Sequence, residues 1–287
     1  MKILVASDIA EEGISKLKKE FEVDVKKGIS KEEILSIIEN YDGVIVRSKP
    51  NITEDIIKKG KNLKVVARAG VGLDNVDVNC CQGLGVKVVN SPQASSDSVA
   101  ELAFGLMLSV SRNIARADRL TREKRWEKKS LMGHELNDKT LGIVGFGRIG
   151  RNIGRMAKAC GMGLIAYDPY LTSEQITSGG AEPVTLEKLI ERSDVITLHV
   201  PLIDSTRHMI SDKEFEKMKN NAIIINTSRG GIIDEDALCK ALSSGKILGT
   251  GLDVFEEEPP MNSKLLEFDN VVLTQHIGAS THEAQKR

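Results

Sequence analysis

Aromatic residues are scarce in this chain: one Trp, three Tyr and six Phe among 287 residues. A single-stranded nucleic-acid platform stacks bases on aromatic rings, so this composition argues against one. An excess of either charge is also missing. Forty Lys and Arg stand against forty-one Asp and Glu, a formal net charge of −1, which leaves no electrostatic footprint for nucleic acid or an anionic membrane. No apolar run approaches the roughly 18 residues of a membrane-spanning helix. The four cysteines, Cys80, Cys81, Cys160 and Cys239, lack any C-x-x-C spacing. That pattern disfavours a disulfide framework or a metal site and suits a reducing, cytoplasmic setting. The opening residues Met1–Asp8 turn acidic too soon for a signal peptide and read as a first strand. What remains is an α/β protein acting on small molecules.

The first ninety residues repeat one pattern, a short apolar strand, a turn and an amphipathic helix. Strands are expected at Lys2–Ala6, Glu22–Val25, Gly43–Arg47, Leu63–Arg68 and Val86–Asn90, and Asn90-Ser91-Pro92 ends the series. A long helix follows from about Ser95 to Arg119, apolar nearly all round at Leu102–Leu108, with capping-box spacing at Ser98 and Glu101 near its start, where Ser95 and Ser96 compete as the N-cap. At 1.5 Å per residue it would span roughly 35–40 Å. Strand–helix alternation restarts at Thr140, with strands at Leu141–Val144, Leu164–Tyr167, Val195–Val200, Ala222–Asn226, Ile247–Leu252 and Val271–Leu273. The expected fold is therefore α/β, with two doubly wound parallel-sheet domains. Residues 1–92 are expected to form the first and residues 93–280 the second.

Gly145, Gly147 and Gly150 match G-x-G-x-x-G. Alone the pattern is weak in a chain with 25 glycines. Here it follows an apolar strand, opens a helix and precedes a strand that ends in Asp168, within the expected reach of about 20 residues. Gly145 permits the tight turn, Gly147 lets the backbone approach a pyrophosphate, and Gly150 lets helix and strand pack. Phosphates would sit on the helix N-terminus. Asp168 would bind ribose hydroxyls and repel a 2′-phosphate, so NAD is expected over NADP.

Three late strands end in polar residues of complementary chemistry. Thr227-Ser228-Arg229 follows the fourth strand of this half, Asp253 and Glu256–Glu258 the fifth, and Gln275-His276 the sixth. A histidine can take a hydroxyl proton near neutral pH, a neighbouring carboxylate can orient it, and an arginine fork can grip a substrate carboxylate. The plainer readings are a surface turn for Arg229 and a solvated loop for the acidic run. His199 lies on a buried-looking strand, near the cofactor or structural, while His134, His208 and His282 read as surface residues.

Five motifs, Arg68–Asp77, Leu141–Gly150, Ile225–Gly231, Leu252–Pro260 and Thr274–Ser280, together resemble the D-2-hydroxyacid dehydrogenase family over essentially the whole chain. The resemblance implies Arg229, Glu258 and His276 as the catalytic set. It implies cofactor contacts at Arg148, Ile149, His199, Val200, Pro201, Thr206, Thr227, Ser228, Arg229, Asp253, His276, Gly278 and Ala279, besides the glycines and Asp168. Substrate contacts would fall on Arg47, Ser48, Gly70, Val71 and Gly72, in a cleft closed by a hinge near Ser91–Ser98. The implied reaction is oxidation of D-3-phosphoglycerate, with Arg47, Lys49 and Arg68 as cations able to receive a phosphate. A glyoxylate or hydroxypyruvate reductase is the alternative within the family, and a corepressor-like NAD(H) sensor the alternative outside it. A homodimer through the cofactor domain is expected, with no nucleic-acid or membrane partner. Three positions depart from the family pattern. Gln275 replaces a usual proline, Val71 a frequent threonine, and no asparagine lies near Ser95. A helix is expected to begin at Thr281, and the resemblance implies that 281–287 return to the first domain, with no serine-sensing module expected within these residues.

Overall fold

A computed structural model describes residues 1–287. The chain divides into two compact units, Met1–Ser95 with Ala279–Arg287, and Ser96–Gly278. No helix is long and apolar enough to cross a membrane.

In the first unit the strands are β1 (Lys2–Val5), β2 (Glu22–Val25), β3 (Gly43–Val46), β4 (Val65–Arg68) and β5 (Lys87–Asn90). They alternate with α1 (Glu11–Leu17), α2 (Lys31–Ile37), α3 (Glu54–Lys59) and α4 (Val78–Gly83). All pairings are parallel, in the order β2-β1-β3-β4-β5. Leu4, Val44, Val46 and Val66 are fully buried among Ile34, Ile38, Ile56 and Ile57 from the helices. Ser30 and Glu33 form a reciprocal capping box that fixes the start of α2. The final helix, α12 (His282–Lys286), is tied to this unit where Arg287 Nη1 donates to the Ala94 carbonyl at 3.2 Å.

The second unit opens with α5 (Ser96–Ser111) and α6 (Ile114–Arg122). This corrects the single long helix expected from Ser95 to Arg119. Asn113 takes left-handed dihedrals, φ 54° and ψ 33°, and breaks the run. Asparagine is among the few non-glycine residues that adopt this conformation readily. Ser98 is likewise inside α5 and is not its cap. Seven strands follow: β6 (Thr140–Val144), β7 (Gly163–Tyr167), β8 (Glu182–Pro183), β9 (Val195–Leu198), β10 (Ala222–Asn226), β11 (Ile247–Leu252) and β12 (Val271–Leu273), with the short α8 (Ser173–Ser178) between β7 and β8. The two-residue β8 is too short to show as a pattern in sequence.

The sheet is wholly parallel and ordered β12-β11-β10-β9-β6-β7-β8. Its interior strands read as continuous apolar runs because both faces are covered. On β10, Ile224 packs on one side with Leu189, Phe215 and Leu238, from α9 (Leu186–Arg192), α10 (Asp212–Lys217) and α11 (Glu235–Ser243). Ile223 and Ile225 pack on the other side with Ala103, Leu106 and Met107 of α5, and with Ile153 of α7 (Arg148–Ala159). The strand order reverses between β6 and β9. Ligands of open α/β sheets bind at the carboxyl end of such a switch point.

Candidate active site

The glycine turn lies at that switch point. Gly145 has φ 89°, a value that favours glycine. A Cβ there would approach the His199 carbonyl oxygen to 2.5 Å and Val200 Cγ1 to 2.9 Å. A Cβ on Gly150 would strike the Gly145 carbonyl, so the helix could not lie this close to the strand. Gly147, by contrast, would meet nothing within 4 Å. It is the N-cap of α7 with no side-chain hydrogen bond, and Arg148 and Ile149 form the first helical turn. Two of the glycines are thus needed to build the turn, and the third leaves open space over uncapped helix N–H groups. That arrangement suits a pyrophosphate.

Asp168 follows β7. One carboxylate oxygen accepts from the Phe146 N–H at 2.9 Å and the other from the Tyr170 N–H at 3.0 Å. Each oxygen keeps a lone pair for a ribose hydroxyl. Thr227 is 7% exposed, and its hydroxyl oxygen is buried without a partner, an orphan that a bound carboxamide or phosphate would satisfy. The residues therefore fit a dinucleotide. Thr206 uses its hydroxyl within its own loop, donating to the Pro201 carbonyl at 2.6 Å and accepting from the Ile203 N–H. His199 bonds Thr197 through Nε2 at 3.0 Å, while its Nδ1 is buried and unpartnered. Burial pushes its pKa down to about 3.

Beyond β12, His276 Nδ1 lies 2.8 Å from Glu258 Oε2. The other Glu258 oxygen accepts from the Phe255 N–H at 3.2 Å, which fixes the carboxylate in its own loop. His276 has φ 53°, a left-handed conformation costing about 1–3 kcal/mol that persists only where its surroundings enforce it. Asp253 enforces it here. Its backbone carbonyl accepts the His276 N–H, and its carboxylate accepts the Ile277 and Gly278 N–H groups, all at 2.8 Å. Thr274 Oγ1 adds a fourth bond at 2.6 Å. Asp253 is 1% exposed, so these donors replace the water that its carboxylate has lost. Within the second unit Asp253 thus shapes the histidine loop directly. Gln275 is accommodated as exposed, irregular backbone before it.

Arg229 leaves β10 on a turn built by Asn226. The Asn226 side chain donates to the Arg229 carbonyl at 2.8 Å and accepts from the Ser228 N–H and hydroxyl. Arg229 Nη1 donates to the Ser228 carbonyl at 2.6 Å. Gly230 packs so tightly on the Phe255 carbonyl that no Cβ would fit. Neither Asn226 nor Gly230 was singled out from sequence, although Asn-x-Ser is an Asx-turn pattern.

Arg47, Ser48 and Gly70–Gly72 belong to the first unit. Arg47 and Ser48 follow β3, at the switch point of that sheet between β1 and β3. Ser7, just after β1, accepts the Arg47 N–H at 2.8 Å and donates to the Lys49 carbonyl. The Gly70–Gly72 turn after β4 is held by the Ser91 N–H and the Asn90 side chain. A cavity of about 740 Å³ in this unit is lined in part by Asp8, Lys27, Arg47 and His282. Ala279 also falls in this unit, where its carbonyl accepts from Gln285 Nε2 at 3.0 Å.

Comparison with known proteins gives concordant matches. Residues 104–278 match the family model "D-isomer specific 2-hydroxyacid dehydrogenase, NAD binding domain". A D-3-phosphoglycerate dehydrogenase of Methanocaldococcus jannaschii is 50% identical over 287 residues, covering 100% of this chain and 55% of the relative. The chain spans about half the length of several such relatives. A hydroxypyruvate reductase of Thermotoga maritima is 52% identical over 273 residues, covering 94% of this chain and 88% of the relative. Among solved structures, a glyoxylate reductase from Paecilomyes thermophila superposes with a TM-score of 0.92 at 33% identity, covering 100% of this chain and 91% of that one. The glycine turn, the acid that follows β7, two parallel sheets and matched sequence lead to one assignment: the chain belongs to the D-isomer-specific 2-hydroxyacid dehydrogenase family, with an NAD-binding domain.

Proposed function

We propose that the protein is an NAD-dependent dehydrogenase oxidising D-3-phosphoglycerate to 3-phosphohydroxypyruvate, on the route to serine. The His276–Glu258 pair at 2.8 Å carries the reading. It joins an imidazole, a group able to take and return a proton, to a carboxylate that orients it. Bound NAD supplies the hydride acceptor. His276, held through Nδ1, takes the substrate hydroxyl proton at Nε2 and returns it in the reverse direction. Arg229 grips the substrate carboxylate and draws charge toward the C2 oxygen. Gly145, Gly147, Gly150, Asp168 and Thr227 hold the cofactor. Arg47, Ser48 and Gly70–Gly72 serve the substrate, with Arg47, Lys49 and Arg68 as candidate phosphate cations.

Support for the phosphorylated substrate comes from relatives named D-3-phosphoglycerate dehydrogenase at 45–50% identity. The 52% identity to a hydroxypyruvate reductase, over most of that protein's length, favours a second reading as a reductase of unphosphorylated 2-oxo acids. NADH consumption with 3-phosphohydroxypyruvate, hydroxypyruvate and glyoxylate separates the two. A highest kcat/KM on the phosphorylated acid is expected, and equal or better rates on the others would overturn the substrate assignment. In the same assay His276→Asn should lose about 10²–10⁴ in kcat with NADH affinity retained, whereas unchanged turnover would remove its acid–base role.

The reading includes a homodimer built on the second unit. Ile114, Trp126 and Met132 are 53%, 85% and 84% exposed, an apolar set on and after α6 that a second copy would cover.

A further inference from the structure

Two residues before Glu258, Glu256 makes bonds outside the histidine pair. Its N–H donates to Glu235 Oε1 at 2.7 Å, and the Glu235 N–H donates to Glu256 Oε1 at 3.2 Å. This reciprocal exchange joins the first residue of α11 to the loop running from Asp253 to Glu258. Ser263 Oγ donates to the second Glu235 oxygen at 3.4 Å. His208 Nε2 lies 3.1 Å from Glu256 Oε1, and the His208 N–H donates to the Gly231 carbonyl at 2.8 Å. His208 therefore touches the Arg229 loop and the Glu258 loop together. Gly230 seats the first loop on the Phe255 carbonyl of the second.

The arrangement carries an electrostatic cost. Glu235 faces Glu256 and Asp236, and burial together with these charges pushes its pKa up. Asp234 lies beside His208, with its Oδ2 at 4.0 Å from Nδ1. A solvated acidic run would spread such charges apart. Here two carboxylates are brought together and each is occupied by the other's backbone N–H. Such a local conflict is tolerated where it fixes something else.

We propose that the Glu235–Glu256 exchange, with His208 as its third member, is a positioning clamp that holds the Arg229 and Glu258 loops in mutual register. The proposal rests on the reading of Glu258 and His276 as the acid–base pair. None of the three clamp residues belongs to the catalytic set or the cofactor turn.

The test compares Glu235→Ala, Glu256→Ala, His208→Ala and the conservative Glu256→Gln in the full chain. Amide hydrogen exchange over residues 253–258 should speed by about tenfold or more in the alanine variants, with residues 140–159 unchanged. With NADH and the best 2-oxo acid, kcat should fall about tenfold or more while the NADH dissociation constant stays within about twofold. Glu256→Gln keeps a carbonyl acceptor for the Glu235 N–H and should recover most of both signals. Unchanged exchange, faster exchange with kcat intact, or no recovery with glutamine would each overturn the clamp. If one alanine variant fails to fold, the other two carry the comparison. Exchange is read without substrate, so a wild-type protein inactive on every 2-oxo acid would fail the dehydrogenase reading while the exchange result still decides the clamp.

Discussion

At the scale of single residues, the site is held by side chains that satisfy backbone groups. Asp253 fixes the left-handed turn at His276, and Asn226 fixes the turn at Arg229. His199 is the counterexample, a polar ring only partly satisfied, and it makes stability depend on pH. Its pKa falls from the ordinary value near 6.5 to about 3 in the fold. Between those values the unfolded chain binds a proton that the folded chain refuses, so stability rises with pH across the window and is lost on acidification. His199→Asn removes this titration. Its urea midpoint should therefore fall less between pH 7.5 and pH 4.5 than that of the wild type. Equal losses in both proteins would show that His199 is not the group responsible.

At the scale of elements, the interior strands were legible in sequence because both faces of each sheet are covered, which leaves short continuous apolar runs between turn residues, whereas the two-residue β8 was not. The G-x-G-x-x-G turn was legible because its glycines answer to separate steric demands. The α5–α6 break was not, since one left-handed asparagine in a helical pattern leaves the periodicity on either side intact. The contacts among Glu235, Glu256 and Gly230 were hidden for another reason. They join segments that meet only once β10 and β11 pair in parallel, and nothing local announces it. Gly230→Ala tests how firmly those loops meet. The added methyl must displace the Phe255 carbonyl, at a cost of about 1–3 kcal/mol, so a lower urea midpoint with reduced turnover is expected. A midpoint equal to wild type would mean that the loops part freely.

At the scale of the whole molecule, the near-zero net charge says little, because function depends on where individual cations and carboxylates fall along the two sheets. The proposed homodimer is testable by light scattering. The chain has a mass of 31.3 kDa, and twice that is expected, with Trp126→Asp combined with Met132→Glu returning it to the single-chain mass. A wild-type monomer at micromolar concentration would end that proposal. The first unit is also made from two separated stretches, residues 1–95 and 279–287, with the whole second unit between them. At about 5–20 residues per second, translating that insertion takes roughly ten to forty seconds. Throughout that interval the nascent first sheet lacks the helix whose Arg287 meets Ala94 and whose Lys286 lies 3.7 Å from Glu12. The order of synthesis therefore leaves the first unit waiting on the ribosome for residues 279–287.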